Sequence, residues 1–163
     1  LVMDRSGEDI EDAEVVLYAV STTSGEIMKH WEQEADLHPG DRKVALEADI
    51  TGLNTAETIL YASFAGCIDS WQLLADPKDS RFRAPKLKFR INDEGMGEIW
   101  ADGPVVDLWI WNPEGECPIF ENYLTMPFGD IQTVSLLAGA KVTRLQGRSL
   151  AGYHDIEIVT GPF

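Results

Sequence analysis

The sequence predicts an all-β chain built as two tandem immunoglobulin-like antiparallel β-sandwiches, and three observations carry that expectation. Short runs rich in β-branched and aromatic residues recur about every ten residues, with Gly, Pro, Asn or Asp at nearly every junction. No segment longer than about ten residues holds a 3.6-residue period, so helix amounts to a turn or two, at Leu53–Glu57 or Ser70–Leu74. The polar, proline-bounded stretch Asp76–Pro85 divides the runs into two sets. The 163 residues then split into one sandwich at 1–80 and a second at 81–163, each of roughly 80 residues.

In the first set, Leu1-Val2-Met3-Asp4 reads as the end of a strand already under way. The first sandwich is therefore expected to lack its opening strand, and the chain to be a fragment. Glu14–Val20 is dense in β-branched and aromatic residues, as a strand buried on both faces would be. Ile27–Leu37 follows after the turn residues Ser21–Glu26, and Pro39-Gly40-Asp41 marks another turn. Val44, Leu46, Ala48 and Ile50 alternate with Lys43, Ala45, Glu47 and Asp49, the cleanest period of two in the chain, which predicts a half-buried strand. Thr58–Ala65 and Asp69–Ala75 complete the set.

In the second set, Leu87, Phe89 and Ile91 face in while Lys86, Lys88 and Arg90 face out, and Asn92-Asp93-Glu94-Gly95 turns the chain. Met96–Ala101, Val105–Trp111, Ile119–Leu124, Ile131–Leu137 and Ile156–Val159 follow. Val105–Trp111 and Ile119–Leu124 flank Asn112-Pro113-Glu114-Gly115-Glu116, the signature of a hairpin. Strict alternation would put Val105, Asp107, Trp109 and Trp111 on one face and Val106, Leu108 and Ile110 on the core face.

Composition excludes several functions. Hydrophobic residues at 44% give enough apolar surface for a core, so the chain is not disordered. A net charge of −15, with the acid excess concentrated in Leu1–Thr51, repels nucleic acid and anionic membranes. No apolar run reaches the roughly 18 residues a membrane helix needs.

Few residues are arranged for chemistry. Cys67 and Cys117 have no partners at metal-ligand spacing and are expected to be unpaired thiols. His30, His38 and His154 fall in no catalytic motif and are expected at the surface or rim. Glu114, Glu116 and Glu121 cluster near one hairpin, but a small sandwich offers no deep cleft in which two carboxylates could face a glycosidic bond, so they read as solvated loop acids. Asp9, Glu11, Asp12 and Glu14 lack the glycine-centred ligand pattern of a calcium loop. Neither a cofactor nor a metal is expected. Trp109 and Trp111, two apart on one strand, lie side by side. Such a pair is either buried under a neighbouring domain or sheet, the favoured expectation given its apolar area, or a platform for sugar rings.

Several of these stretches together resemble a known family. Tyr61-Ala62-Ser63-Phe64, Trp71-Gln72-Leu73-Leu74-Ala75-Asp76-Pro77-Lys78-Asp79 and Pro85-Lys86-Leu87 resemble the junction of two Ig-like domains in β-mannosidases of glycoside hydrolase family 2. Val106-Asp107-Leu108-Trp109-Ile110-Trp111, Glu121-Asn122-Tyr123-Leu124 and Pro127-Phe128-Gly129-Asp130 resemble their last domain. The resemblance runs from about Asp12 to Leu150, and the Asn122-Tyr123 pair with its proline loop is its most specific part. Met126-Pro127-Phe128-Gly129 departs from the pattern by one extra residue. The resemblance implies a retaining exo-β-mannosidase whose two catalytic glutamates lie upstream on a (β/α)₈ barrel, so no catalytic residue is carried over. The chain would buttress that barrel. Its implied partners are the barrel and β-mannoside carbohydrate, with Trp109, Trp111, Glu121, Asn122 and Tyr123 as interface or carbohydrate contacts. Two other classes fit the residues: an autonomous carbohydrate-binding module using Trp109 and Trp111, and an adhesion protein of Ig-like domains.

Overall fold

The computed structural model describes residues 9–38, 44–64, 70–115, 118–137 and 142–163. Cys67, Cys117, Glu116 and the Pro39-Gly40-Asp41 turn lie outside these ranges. The described chain is all-β, eleven strands and one 3₁₀ turn at Thr55–Glu57. It divides into two compact units, one of Leu1–Ser21 with Ile27–Ser80 and one of Thr22–Glu26 with Arg81–Phe163.

The first unit is an antiparallel sheet of β1 (Ile10–Ser21), β2 (Ile27–Leu37), β3 (Thr58–Phe64) and β4 (Ser70–Leu73), in the order β2-β1-β3-β4. Its central strand is the β-branched run read from the sequence. β1 bulges near its start, where the register with β2 slips between Ile10 and Ala13. Asp12 sits there at φ 50°, a left-handed conformation that Asp tolerates better than most residues. The Asp36 carboxylate accepts its N–H at 2.9 Å. Ala13, Val15, Ala45 and Phe64 form a small core, with Ile10, Ala35 and Leu46 against it.

Ser70–Leu73 is the strand expected within Asp69–Ala75 and not the alternative helical turn, because its backbone pairs with Ile59–Ala62, and the helical turn falls at Thr55–Glu57, within Leu53–Glu57. One sequence expectation fails in this unit. Residues 44–50, expected as a half-buried strand, belong to no sheet. Val44, expected inside, is 72% exposed, while Ala45, expected outside, is buried. The Lys29 ammonium donates to the Asp49 and Thr51 carbonyls at 3.4 and 2.7 Å. A side chain thus takes carbonyls that a neighbouring strand would otherwise have used.

The second unit contains β5 (Leu87–Ile91), β6 (Gly97–Ala101), β7 (Val105–Trp111), β8 (Leu124–Met126), β9 (Ile131–Val134), β10 (Leu145–Ser149) and β11 (Gly152–Ile158). The strands follow the order β8-β7-β10-β11-β5-β6-β9. All pairs are antiparallel except β11 with β5, which is parallel over Ile156–Ile158 and Leu87–Phe89. β5, β6 and β9 thereby take the places of strands A, B and E of an immunoglobulin sandwich, and β7, β10 and β11 those of C, F and G. The row folds onto itself, because one cluster of buried side chains draws on all seven strands, from Leu124 and Met126 on β8 to Val134 on β9. An isolated bridge of Ile119 with Leu136 closes the far side, with Leu137 N–H donating to the Pro118 carbonyl at 2.8 Å and Phe120 N–H to the Ser135 carbonyl at 3.1 Å.

The predicted Asn112–Glu116 turn is present through Gly115, where the Asn112 side-chain oxygen accepts the Glu114 N–H at 3.0 Å. The strand after it begins only at Leu124, so the connection is longer than a hairpin. Strict alternation on β7 also fails at its first residues. Asp107 stands at φ 59° in a bulge that shifts the register between Val105 and Leu108, so Val105 joins Leu108 and Ile110 in the core. Thr22–Glu26, the turn between β1 and β2, groups with this unit: the Thr22 carbonyl accepts the Arg83 N–H and its hydroxyl donates to the Arg81 carbonyl.

Candidate functional site

Two features of the second unit gather the residues singled out in the sequence, and both adjoin β7. The first is the segment before β8. Tyr123, just before β8, adopts φ 64°, so the β7–β8 ladder ends at Leu124, and beyond it the Asn122 side chain accepts the Ile110 N–H at 2.7 Å. One residue earlier, the Glu121 carboxylate accepts the Ser135 N–H and the Ser135 hydroxyl, both at 2.7 Å. The segment is thus tied to β7 through Asn122 and to the chain after β9 through Glu121. On either side of these ties, Phe120 and Tyr123 stand 66% and 67% exposed.

The second feature is the outer face of β7, β10 and β11. Trp109 and Trp111 lie with ring centroids 5.0 Å apart and planes 32° from parallel. The other sheet of their own unit covers neither indole: Trp109 is 44% exposed and Trp111 half-buried, because in this register both project away from the core. Tyr153 on β11 meets Trp111 edge-on at 6.3 Å and 88°. The sequence does not single out Tyr153, Gln146 or Arg148, because β10 is not expected as a strand and β11 is expected to begin only at Ile156. The register sets Arg148 opposite Trp109 and Tyr153, and Gln146 opposite Trp111 and Asp155.

The titratable groups are set up for structure. Hydrogen bonds from Ser135 hold the Glu121 carboxyl below its ordinary value. Those from Arg90, at 2.6 Å, and from Asn92 do the same for Glu98. A glycosidase acid needs the opposite, a carboxyl raised by a dry pocket. Glu14 is raised, chiefly by its hydrogen bond with Glu32, but its side chain is exposed on β1 and lies in no dry pocket. Among the described residues no three His, Cys, Asp or Glu side chains converge to hold a metal.

His154, expected at the surface, is buried, since its place on β11 points it into the unit at the β10–β11 hairpin. Its Nε2 lies 2.7 Å from the Ser149 hydroxyl, a separation that a serine nucleophile and its base could share. Ser149 is itself buried and accepts the Ala151 N–H at 3.1 Å, so the pair locks the hairpin turn. His30 and His38 are exposed, with His38 Nδ1 2.9 Å from the Asp9 carboxylate.

These directions set the pH dependence of stability. Burial lowers the His154 pKa from 6.5, so the unfolded chain binds the proton more readily than the folded one, and stability falls as pH drops below about 6.5 until the folded value is reached. Glu121 and Glu98 act at lower pH. Their lowered values contribute stability that is complete above the unfolded carboxylate range and lost as pH falls through the folded values. Urea melts between pH 7.5 and 3 are expected to show both steps, and His154→Gln to remove the first alone. A single step shared by parent and variant would refute the assignment to His154.

No protein-family model matches the chain, and no curated protein is significantly similar to it.

Proposed function

We propose that this chain is the non-catalytic C-terminal Ig-like portion of a retaining exo-β-mannosidase-like enzyme of glycoside hydrolase family 2, where it buttresses an upstream catalytic barrel. The observation that carries the reading is the doubly tied segment before β8. It contains the Asn122-Tyr123 pair that, with its proline loop, is the most specific part of the resemblance, and it presents two aromatic side chains from a backbone that has little freedom left to lose. A docking surface built this way avoids the ordering cost that weakens binding by loops. Exposed aromatic anchors held by polar ties are also what an interface between domains uses. Glu121 and Asn122 thus serve as ties and Phe120 and Tyr123 as the contacts. The immunoglobulin-type strand order of the second unit supports the same reading.

The chain alone is expected to release no nitrophenol from p-nitrophenyl β-mannoside, and turnover by a preparation free of contaminating glycosidase would overturn the non-catalytic role. In the longer source polypeptide, Phe120→Asp with Tyr123→Asp is expected to speed proteolytic release of this portion. Cleavage at the parent's rate would remove the docking surface from the proposal, and a source polypeptide with no barrel upstream would remove the proposal itself.

A further inference from the structure

The outer face of β7, β10 and β11 plays no part in that docking, yet it holds the most organised set of exposed rings in the second unit. Trp109 and Trp111 form a floor of two indoles at 5.0 Å and 32°, and Tyr153, 75% exposed and perpendicular to Trp111, stands as a wall beside it. Planar polar groups lie among the rings. The Arg148 guanidinium sits over the Tyr153 ring at 5.4 Å, and Gln146 donates to the Asp155 carboxylate at 3.1 Å, which leaves the carboxamide oxygen and the second carboxylate oxygen as acceptors. All six side chains project from paired strands, which fix their spacing more firmly than loops would.

We propose that this face binds a neutral β-linked oligosaccharide chain. A pyranose ring has a flat C–H face and a rim of hydroxyls. The two needs are met here by adjacent surfaces: indoles for the C–H faces, and guanidinium, carboxamide and carboxylate groups for pairs of hydroxyls. The two indoles follow one another along β7, so they suit consecutive rings of an extended β-linked chain better than a coiled α-linked one. Charge fixes the rest. At a net −15 the chain repels polyanionic glycans and nucleic acids alike, and Arg148 alone cannot offset that field.

The test is a titration of the 163-residue chain with mannohexaose, cellohexaose and xylohexaose, read by calorimetry and by tryptophan fluorescence, with polygalacturonate as the charged control. Saturable binding to at least one neutral chain is expected, and none to polygalacturonate. Trp109→Ala and Tyr153→Ala are each expected to weaken binding on the order of tenfold, without change in the urea midpoint. Trp100→Ala, on β6 and stacked on Phe163, is expected to leave affinity unchanged. Three outcomes would overturn the proposal: no saturable binding to any of the three chains, parent-like affinity in both face variants, or a face that proves to mediate self-association, seen as a dimer that Trp109→Ala dissolves. None of these bears on the docking segment, which is tested by domain release.

Discussion

Replacing Phe89 by alanine is expected to lower the unfolding free energy by about 3–5 kcal/mol, a large share of the roughly 5–15 kcal/mol that a domain has. Phe89 lies on β5 with no exposed surface, in the cluster to which all seven strands of the second unit contribute. Its ring reaches across to β6, where a Cβ added at Gly97 would sit 2.8 Å from the Phe89 Cε2 and 2.9 Å from a Val134 methyl. The glycine and the phenylalanine therefore share one volume. Gly97→Ala alone is expected to destabilise by overpacking, at about 1–3 kcal/mol. Joined with Phe89→Leu it should cost less than the two separate losses together, since the smaller ring site admits the methyl. Urea midpoints of the four proteins, followed by near-ultraviolet dichroism, measure the coupling. Strict additivity would show that the two residues do not compete for space.

Gly129→Ala is expected to cost about 2–4 kcal/mol through two separate penalties. Gly129 has φ 61°, where a Cβ is strained in any surroundings. That Cβ would also overlap the backbone of Gly103. The opposing loop cannot retreat easily. Arg83 donates to the Asp102 carbonyl at 2.6 Å and pairs with its carboxylate at 3.1 Å, and that carboxylate accepts the Lys86 N–H at 2.8 Å. Gly161→Ala, where an added Cβ meets nothing and φ is ordinary, is the control, expected within about 0.5 kcal/mol of the parent. Equal melting of the two variants would show that the Gly103–Gly129 contact is not confining.

The sequence made the strand-rich class legible because its signals are local: β-branched runs, and Gly or Asn at the turns. What it concealed depends on neighbours distant along the chain. Residues 44–50 alternate cleanly yet join no sheet, since alternation records a half-buried segment and not whether a partner strand offers its edge. Leu145–Ser149 was missed for the converse reason. Gly147 interrupts its pattern, and only the packing shows why: a Cβ there would fall 2.9 Å from a Leu108 methyl. The bulge at Asp107 was likewise hidden, because a left-handed residue in mid-strand leaves no mark in hydrophobicity. Trp109 and Trp111 were correctly paired on one face from spacing alone. The wall beside them was not visible, because it is made by register with β10 and β11.

The parallel pairing of β11 with β5 has a consequence for how the second unit is made. Its first strand is hydrogen-bonded to its last, so during synthesis Leu87–Phe89 emerges from the ribosome some seventy residues before Ile156–Ile158 exists to cover that edge. Contacts of such long separation are slow to form, and the waiting edge is open to pairing with other nascent chains. A stop anywhere before Ile156 would leave that edge permanently uncovered. Yield from such truncations should fall abruptly at that point, and should not decline in proportion to the length removed.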